Sequence, residues 1–259
     1  MAIYPGYPAA SQLGKIPRMN SLPACCTPLD AHWLLPDALP GTVFLSTRFD
    51  PALLTNGDFQ LSAVPPPASI QRSVAKRQAE FLAGRLCARA ALQRLDGLDC
   101  VPAIGEDRAP VWPVHISGSI THSTGHAAAI VAHKAQWRGL GMDLENVLTL
   151  ERAERLAGEI LTADELQRMA AGPREQIAQL VTLTFSAKES LFKALYPIVQ
   201  KRFYFEHAEL VEWSSSGHAR LRLLTDLSAE WCHGKELEAQ FAMTDGQLLS
   251  LVAVAAVEP

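Results

Sequence analysis

Cysteine is scarce: Cys25, Cys26, Cys87, Cys100 and Cys232 form no CxxC pair and leave an odd thiol. That argues against a cysteine zinc site and a disulfide framework, and for a reducing cytoplasm. An excess of positive charge is also missing. With 23 Lys and Arg against 27 Asp and Glu, and a net charge of -4, the chain lacks the basic surplus of a general nucleic-acid binder. Long hydrophobic runs are absent too. The longest, Leu248 to Val257, is too short to span a bilayer and reads as a last core strand. The first twenty residues carry no basic patch followed by an apolar run, so a cytoplasmic protein with no membrane partner is expected.

What is present describes a globular protein. At 259 residues, 48% hydrophobic, the chain can build one large domain or two modest ones. Prolines at positions 5, 8, 17, 23, 28, 36 and 40 resist helix and sheet, so residues 1–40 are expected to form an extended arm around the body. Alternation predicts a strand at Thr42 to Phe49, and the VPPP run at Val64 to Pro67 punctuates entry to one long helix at Ile70 to Leu95. Strands at Val111 to Ile116 and His126 to His133 enclose a Ser-, Thr- and Gly-rich stretch expected to be a loop. The polar connection Lys134 to Arg138 sets a boundary between an N-terminal subdomain, residues 41–137, and a C-terminal one, residues 138–259. The second is expected to hold a strand at Gly139 to Leu144 and helices near Leu150 to Gly158, Ala163 to Ala171 and Arg174 to Leu195. Strands near Phe203 to Trp213, Ala219 to Leu224, Ala239 to Thr244 and Leu248 to Val257 complete it. This order predicts an α+β fold, helices laid against antiparallel sheet. Aligning Phe81 to Leu92 with Phe185 to Leu195 superposes Phe81 on Phe185, Ala83 on Ala187 and Arg89 on Lys193. The match is either a duplicated unit or a chance likeness of two amphipathic helices.

Two short acidic motifs carry the chemistry: GMDLE (Gly141 to Glu145) and FSAKESLFK (Phe185 to Lys193). On a strand, Asp143 and Glu145 project from one face. Glu189 would supply a third carboxylate, and Lys188 and Lys193 positive charge, a set that suits a magnesium ion holding a phosphate ester. Glu189 and Lys193 also stand at i and i+4, so an intrahelical pair worth ~0.3–0.5 kcal/mol is the competing account. Arg72, Lys76, Arg77, Arg85, Arg89 and Arg94 form a basic stripe, either a solvated face or a phosphate-binding one. Between Gly118 and Gly125, Ser119, Thr121 and His122 offer groups that cradle phosphate oxygens, without the GxSxG setting of a catalytic serine. Glu165 reads as the partner of Thr162 in a capping box or, if it faces the metal site, as a general base; one side chain cannot fill both roles fully.

Taken together, GRLCARAAL (Gly84 to Leu92), PVWPVHISGSITHS (Pro110 to Ser123), GMDLE and FSAKESLFK resemble the 4'-phosphopantetheinyl transferases of the siderophore-synthase type, over about Arg72 to Lys193. Met142 stands where isoleucine is more usual, and Phe185 where tryptophan is common. The resemblance implies two pseudo-symmetric subdomains, each a helix-packed, mainly antiparallel sheet, in a monomer with coenzyme A in the intervening cleft. It implies transfer of the phosphopantetheine arm of coenzyme A to a serine of an acyl, aryl or peptidyl carrier protein, releasing adenosine 3',5'-bisphosphate, with Mg2+ as cofactor. By resemblance, Asp143, Glu145 and Glu189 hold the metal, Lys188 and Lys193 hold or polarise the pyrophosphate, and Glu165 is the base. Arg77, Arg85 and His122, with Ser119 and Thr121, would surround the 3'-phosphate and adenosine. Carrier proteins are acidic, so docking is expected at basic residues such as Lys76 and Arg72. Two other readings are a magnesium-dependent coenzyme A or nucleotide hydrolase, for which no phosphohydrolase motif is present, and a coenzyme A-binding module, which would not need three acids.

Overall fold

Strand β1 (Thr42–Arg48) sends successive side chains to opposite sides, Phe44 toward one packing layer and Leu45 toward another. It pairs antiparallel with β5 (His126–His133), and β4 (Ile116–Ser123) lies on the far edge of β5. The computed structural model describes residues 22–256, so positions 1–21 of the expected arm, and Val257, lie outside the described residues. The alanine-rich β5 is buried on both faces, which explains its continuous apolar run. Ala127, Ala129 and Val131 lie under helix α3 (Ala75–Asp96), while Ala128, Ile130 and Ala132 face the second sheet. Small residues on both sides, among them Ala79 and Ala83, let α3 sit close.

Three sequence expectations change here. The single helix at Ile70 to Leu95 is two: after the short α1 (Asp58–Leu61), α2 (Ala68–Gln71) ends before α3 because Val74 is extended. Gln78 holds that break, donating from Nε2 to the carbonyls of Gln71 and Ser73 at 3.2 and 2.8 Å. The strand expected at Val111 to Ile116 is also divided. β2 (Ala103–Ile104) and β3 (Pro110–Val111) form a two-residue ladder, and Pro113, which has no amide hydrogen, separates it from β4. Finally, the stretch from Gly118 to Ser123 is strand rather than loop, with its backbone paired to β5 and only Thr124 and Gly125 turning the corner; Gly125 takes φ +73°.

The second sheet runs β6-β10-β9-β8-β7, all antiparallel, from β6 (Trp137–Asn146), β7 (Ala208–Trp213), β8 (His218–Leu223), β9 (Glu236–Thr244) and β10 (Gln247–Ala255). Helices α4 (Leu150–Ile160), α5 (Ala163–Ala171) and α6 (Ile177–Val199) accompany it. α6 runs past the expected end at Leu195, through Pro197, and stops at Gln200 in the left-handed region. Leu183, Leu191 and Leu195 pack it onto Leu221, Phe241, Leu248 and Val252 of the sheet. The two sheets meet through side chains of β4: Met142 N donates to Ser119 Oγ and Leu144 N to Thr121 Oγ1, both at 2.9 Å. Residues 22–40 run along β1, bridging at Cys26 to Phe49 and Asp30 to Ser46, and reach the second sheet where Asp37 meets His218.

Candidate active site

The site starts from glycine. A methyl group on Gly141 of β6 would overlap the carbonyl oxygen of Ser190, and one on Gly139 the carbonyl of Ala194. The helix backbone therefore rests directly on the strand. That contact brings Glu189 and Lys193 of α6 beside Asp143 and Glu145, which share a face of β6, while Met142 points the other way into the core. Lys193 Nζ donates to Asp143 Oδ1 at 2.6 Å and to the Met142 carbonyl at 3.1 Å.

Three carboxylates now face one ammonium. Asp143 is 5% exposed, and its Oδ2 is buried with no hydrogen-bond partner among the described residues. Burial, then the charges of Asp143 and Glu189, push the Glu145 carboxyl up to about 7. Glu189 is raised as well, by burial first, with Lys193 opposing and Asp143 adding repulsion. An orphaned carboxylate oxygen and two neighbours reluctant to ionise together describe an all-oxygen donor set short of positive charge, which fits a hard divalent cation.

A second cluster lies across the cleft. Arg77, Glu80, Phe81, Arg85, Arg108 and His122 line a hollow between α3 and the β4 face. Arg85 is buried, stacks its guanidinium 4.8 Å from the Phe81 ring centroid, and leaves Nε without a partner among the described residues. Burial, with Arg77 adding repulsion, lowers its pKa to about 10. A buried cation with an unfilled donor suits an anion. His122 Nε2 accepts from Arg77 Nη1 at 2.8 Å, which puts the ring proton on Nδ1, the nitrogen 3.8 Å from Glu80. Burial, then Arg77 and Lys193, hold the imidazole below its ordinary pKa against the pull of Glu80 and Asp143. His122 thus feels both clusters.

The hollows share walls, Arg108, Pro110 and Ile120 on the arginine side and Glu189, Phe192 and Arg202 on the other. A cleft of about 430 Å³ lies between them, walled by Arg108, Trp112, Gly118 and Ile120 on one side and Glu189, Lys193, Tyr196 and Arg202 on the other. Beyond Glu189 it meets an apolar recess lined by Phe192, Phe203, Tyr204 and Phe205. Arg108, Arg202 and this aromatic recess were not singled out from the sequence. Arg108 adopts φ +72° in the β2–β3 turn, and that turn was its only signal.

Several expected residues have other roles. Ser119 and Thr121 are buried and their hydroxyls accept from the β6 backbone, so they fasten the two sheets instead of offering free donors in a loop. Lys188 stands apart from Lys193: its ammonium donates to Glu165 Oε2 at 2.7 Å and to the carbonyls of Ile160 and Phe205 at 2.9 and 3.0 Å. All three protons are engaged. Glu165 also closes the capping box with Thr162 N at 2.7 Å and accepts from Leu210 N at 2.5 Å through Oε1. Its carboxylate is filled by structural donors, as the capping-box reading expects. In the basic stripe, Arg89 is buried on the Ser62 carbonyl, whereas Arg72, Lys76 and Arg94 are exposed.

Comparison with known proteins agrees along the chain. Residues 66–132 match the 4'-phosphopantetheinyl transferase N-terminal domain, and residues 139–248 the 4'-phosphopantetheinyl transferase superfamily. The chain is similar to enterobactin synthase component D of Escherichia coli strain K12, 38% identical over 184 residues, 71% of this chain and 83% of that protein. It is also similar to the 4'-phosphopantetheinyl transferase Svp of Streptomyces mobaraensis, 37% identical over 193 residues, 73% of this chain and 77% of that one. A holo-(acyl-carrier-protein) synthase from Bacillus anthracis, solved in complex with coenzyme A (3',5'-ADP), is a distant likeness: 18% identity and a TM-score of 0.31, over 47% of this chain and 99% of that one.

Proposed function

The chain belongs to the 4'-phosphopantetheinyl transferase superfamily, and from that membership we propose how its cleft moves phosphopantetheine from coenzyme A to a carrier-protein serine. The enzyme is a holo-carrier-protein synthase; the residue roles below are our assignment. Arg85, Arg77, Arg108 and His122 take the 3'-phosphate end of coenzyme A, since a buried guanidinium with unfilled donors gains most from a dianion. The pyrophosphate lies across the cleft toward Lys193, and the pantetheine arm extends along the aromatic recess. Residues 41–137 and 138–259 supply opposite walls.

Asp143, Glu145 and Glu189 would hold Mg2+, and that ion, when bound, would neutralise charge on the pyrophosphate. The carrier serine attacks the β-phosphorus and gives up its hydroxyl proton to water at the cleft mouth, a new P–O bond forms, the bond between that phosphorus and the bridging oxygen breaks, and adenosine 3',5'-bisphosphate leaves with the bridging oxygen. Lys193 stabilises the charge that develops on phosphate oxygens; two of its three ammonium protons are held by Asp143 and Met142, and the third is free for the substrate. Glu165 and Lys188 position α5 and α6 and carry no proton in the transfer. The acidic carrier meets exposed basic residues, Arg202 on the cleft wall and Arg72 and Lys76 near the start of α3.

The observation that carries the metal assignment is the orphaned Oδ2 of Asp143. The test is intact mass spectrometry of an apo acyl carrier protein incubated with the enzyme, coenzyme A and Mg2+, with a chelator control. A gain of one phosphopantetheine group that vanishes with chelator is expected. Transfer of equal rate in chelator would overturn the metal assignment.

A further inference from the structure

On a face that the transfer chemistry does not use, Asp96, His115 and His133 converge from three elements. Asp96 is the last residue of α3, His115 precedes β4, and His133 ends β5. Their ligand-capable nitrogen and oxygen atoms all lie within 4.8 Å of one another. His115 Nε2 stands 2.7 Å from Asp96 Oδ2, and the two imidazoles stack with centroids 5.9 Å apart and planes at 20°.

The backbone beneath them is already fixed. Ile116, next to His115, is the register partner of His133; Lys134 N donates to the His115 carbonyl at 2.8 Å and Gln136 N to that of His133 at 2.9 Å. The fixed ladder thus sets two imidazoles side by side next to the Asp96 carboxylate. Its donor set differs in kind from the acid cluster. Asp143, Glu145 and Glu189 offer oxygen alone, which suits hard ions, whereas two imidazole nitrogens and one carboxylate suit borderline transition ions.

We propose that Asp96, His115 and His133 form a second metal site that takes zinc. Three protein ligands leave a fourth position for water, and Asp96 and His115 are exposed, so the ion exchanges with solvent. Bound zinc ties the end of α3 to the ends of β4 and β5, the frame that carries Arg85 and His122, and so stabilises the N-terminal half.

The test uses the full chain in millimolar Mg2+, which occupies the acid cluster. Zn2+ is titrated by calorimetry, and thermal unfolding is followed with and without it. Wild type is expected to bind one saturable zinc per chain and to rise in Tm. Affinity falls about tenfold or more in His115→Ala and His133→Ala, and the rise in Tm disappears. Asp143→Asn keeps the zinc. The histidine variants keep the wild-type Tm without zinc, since neither ring is in the core. No saturable zinc in wild type, undiminished affinity in both histidine variants, or loss in Asp143→Asn alone would each overturn the site.

Discussion

The carbonyl oxygen of Ser190 rests on the Cα of Gly141, in the space where any other residue carries its Cβ. Backbone against backbone leaves no rotamer to move, so Gly141→Ala must push α6 off β6. A loss of about 2–4 kcal/mol is expected, read from the urea midpoint. Turnover falls with it, because the same displacement separates Lys193 from Asp143. A wild-type midpoint would show that α6 is free to shift.

Glu189 should separate stability from activity. It is held uncomfortably, raised by burial and by Asp143. Glu189→Gln therefore leaves the Tm in chelator unchanged or higher, while carrier modification falls by about a hundredfold or more. Unimpaired modification would remove Glu189 from the metal set.

Lys188 and Glu165 are 3% and 4% exposed and 2.7 Å apart. Removing one partner strands a buried charge, so Lys188→Met or Glu165→Leu is expected to cost about 3–5 kcal/mol, and the double variant less than the sum. The milder Glu165→Gln, assayed well below its Tm, keeps most of its kcat. A large kcat loss in Glu165→Gln with wild-type stability would restore Glu165 as the base.

Much of this was legible, and the gaps have physical causes. The DxE alternation at Asp143 and Glu145 and the helix at Ala163–Ala171 were readable because period and cap residues state them directly. β4 was not, because its inward face carries Ser117, Ser119 and Thr121, hydroxyls that replace apolar residues where the neighbouring strand needs hydrogen-bond partners, Ser117 as donor and the other two as acceptors. A pattern of polar residues looks like a loop until the partner strand is present. The partners of Lys188 were hidden for a related reason: sequence displays a charge without its partner, and only the fold delivers Glu165 and two carbonyls to it.

Arg85 offers a test through the substrate. Its guanidinium is buried beside Phe81 with Nε unfilled and no carboxylate partner among the described residues. Arg85→Met should raise the KM for coenzyme A by about tenfold, with little loss of Tm. The same variant should treat a coenzyme A lacking the 3'-phosphate as wild type does. An equal effect on both substrates would move the 3'-phosphate elsewhere.

The last prediction concerns pH. Glu145 has its carboxyl raised from 4.5 to about 7, by burial first and then by Asp143 and Glu189, with Lys193 opposing. The folded chain thus binds this proton more tightly than the unfolded chain does. Its stabilising contribution is full below the unfolded value and is lost as pH rises from about 4.5 through about 7. In chelator, wild-type stability relative to Glu145→Gln should fall across that window by about 1–3 kcal/mol, allowing for residual solvent at the carboxyl. Glu189, raised in the same sense, and His122, lowered, are present in both proteins and largely cancel in the difference. Mg2+ adds a second reading, because a cation and a proton compete for the same oxygens. Its stabilisation of wild type should be larger at pH about 8 than at about 6. Urea midpoints at four pH values, with chelator and with Mg2+, provide both comparisons. Parallel curves for wild type and Glu145→Gln would mean that Glu145 ionises as a solvent-exposed carboxylate does, and that the acid cluster is held together by something other than a shared cation.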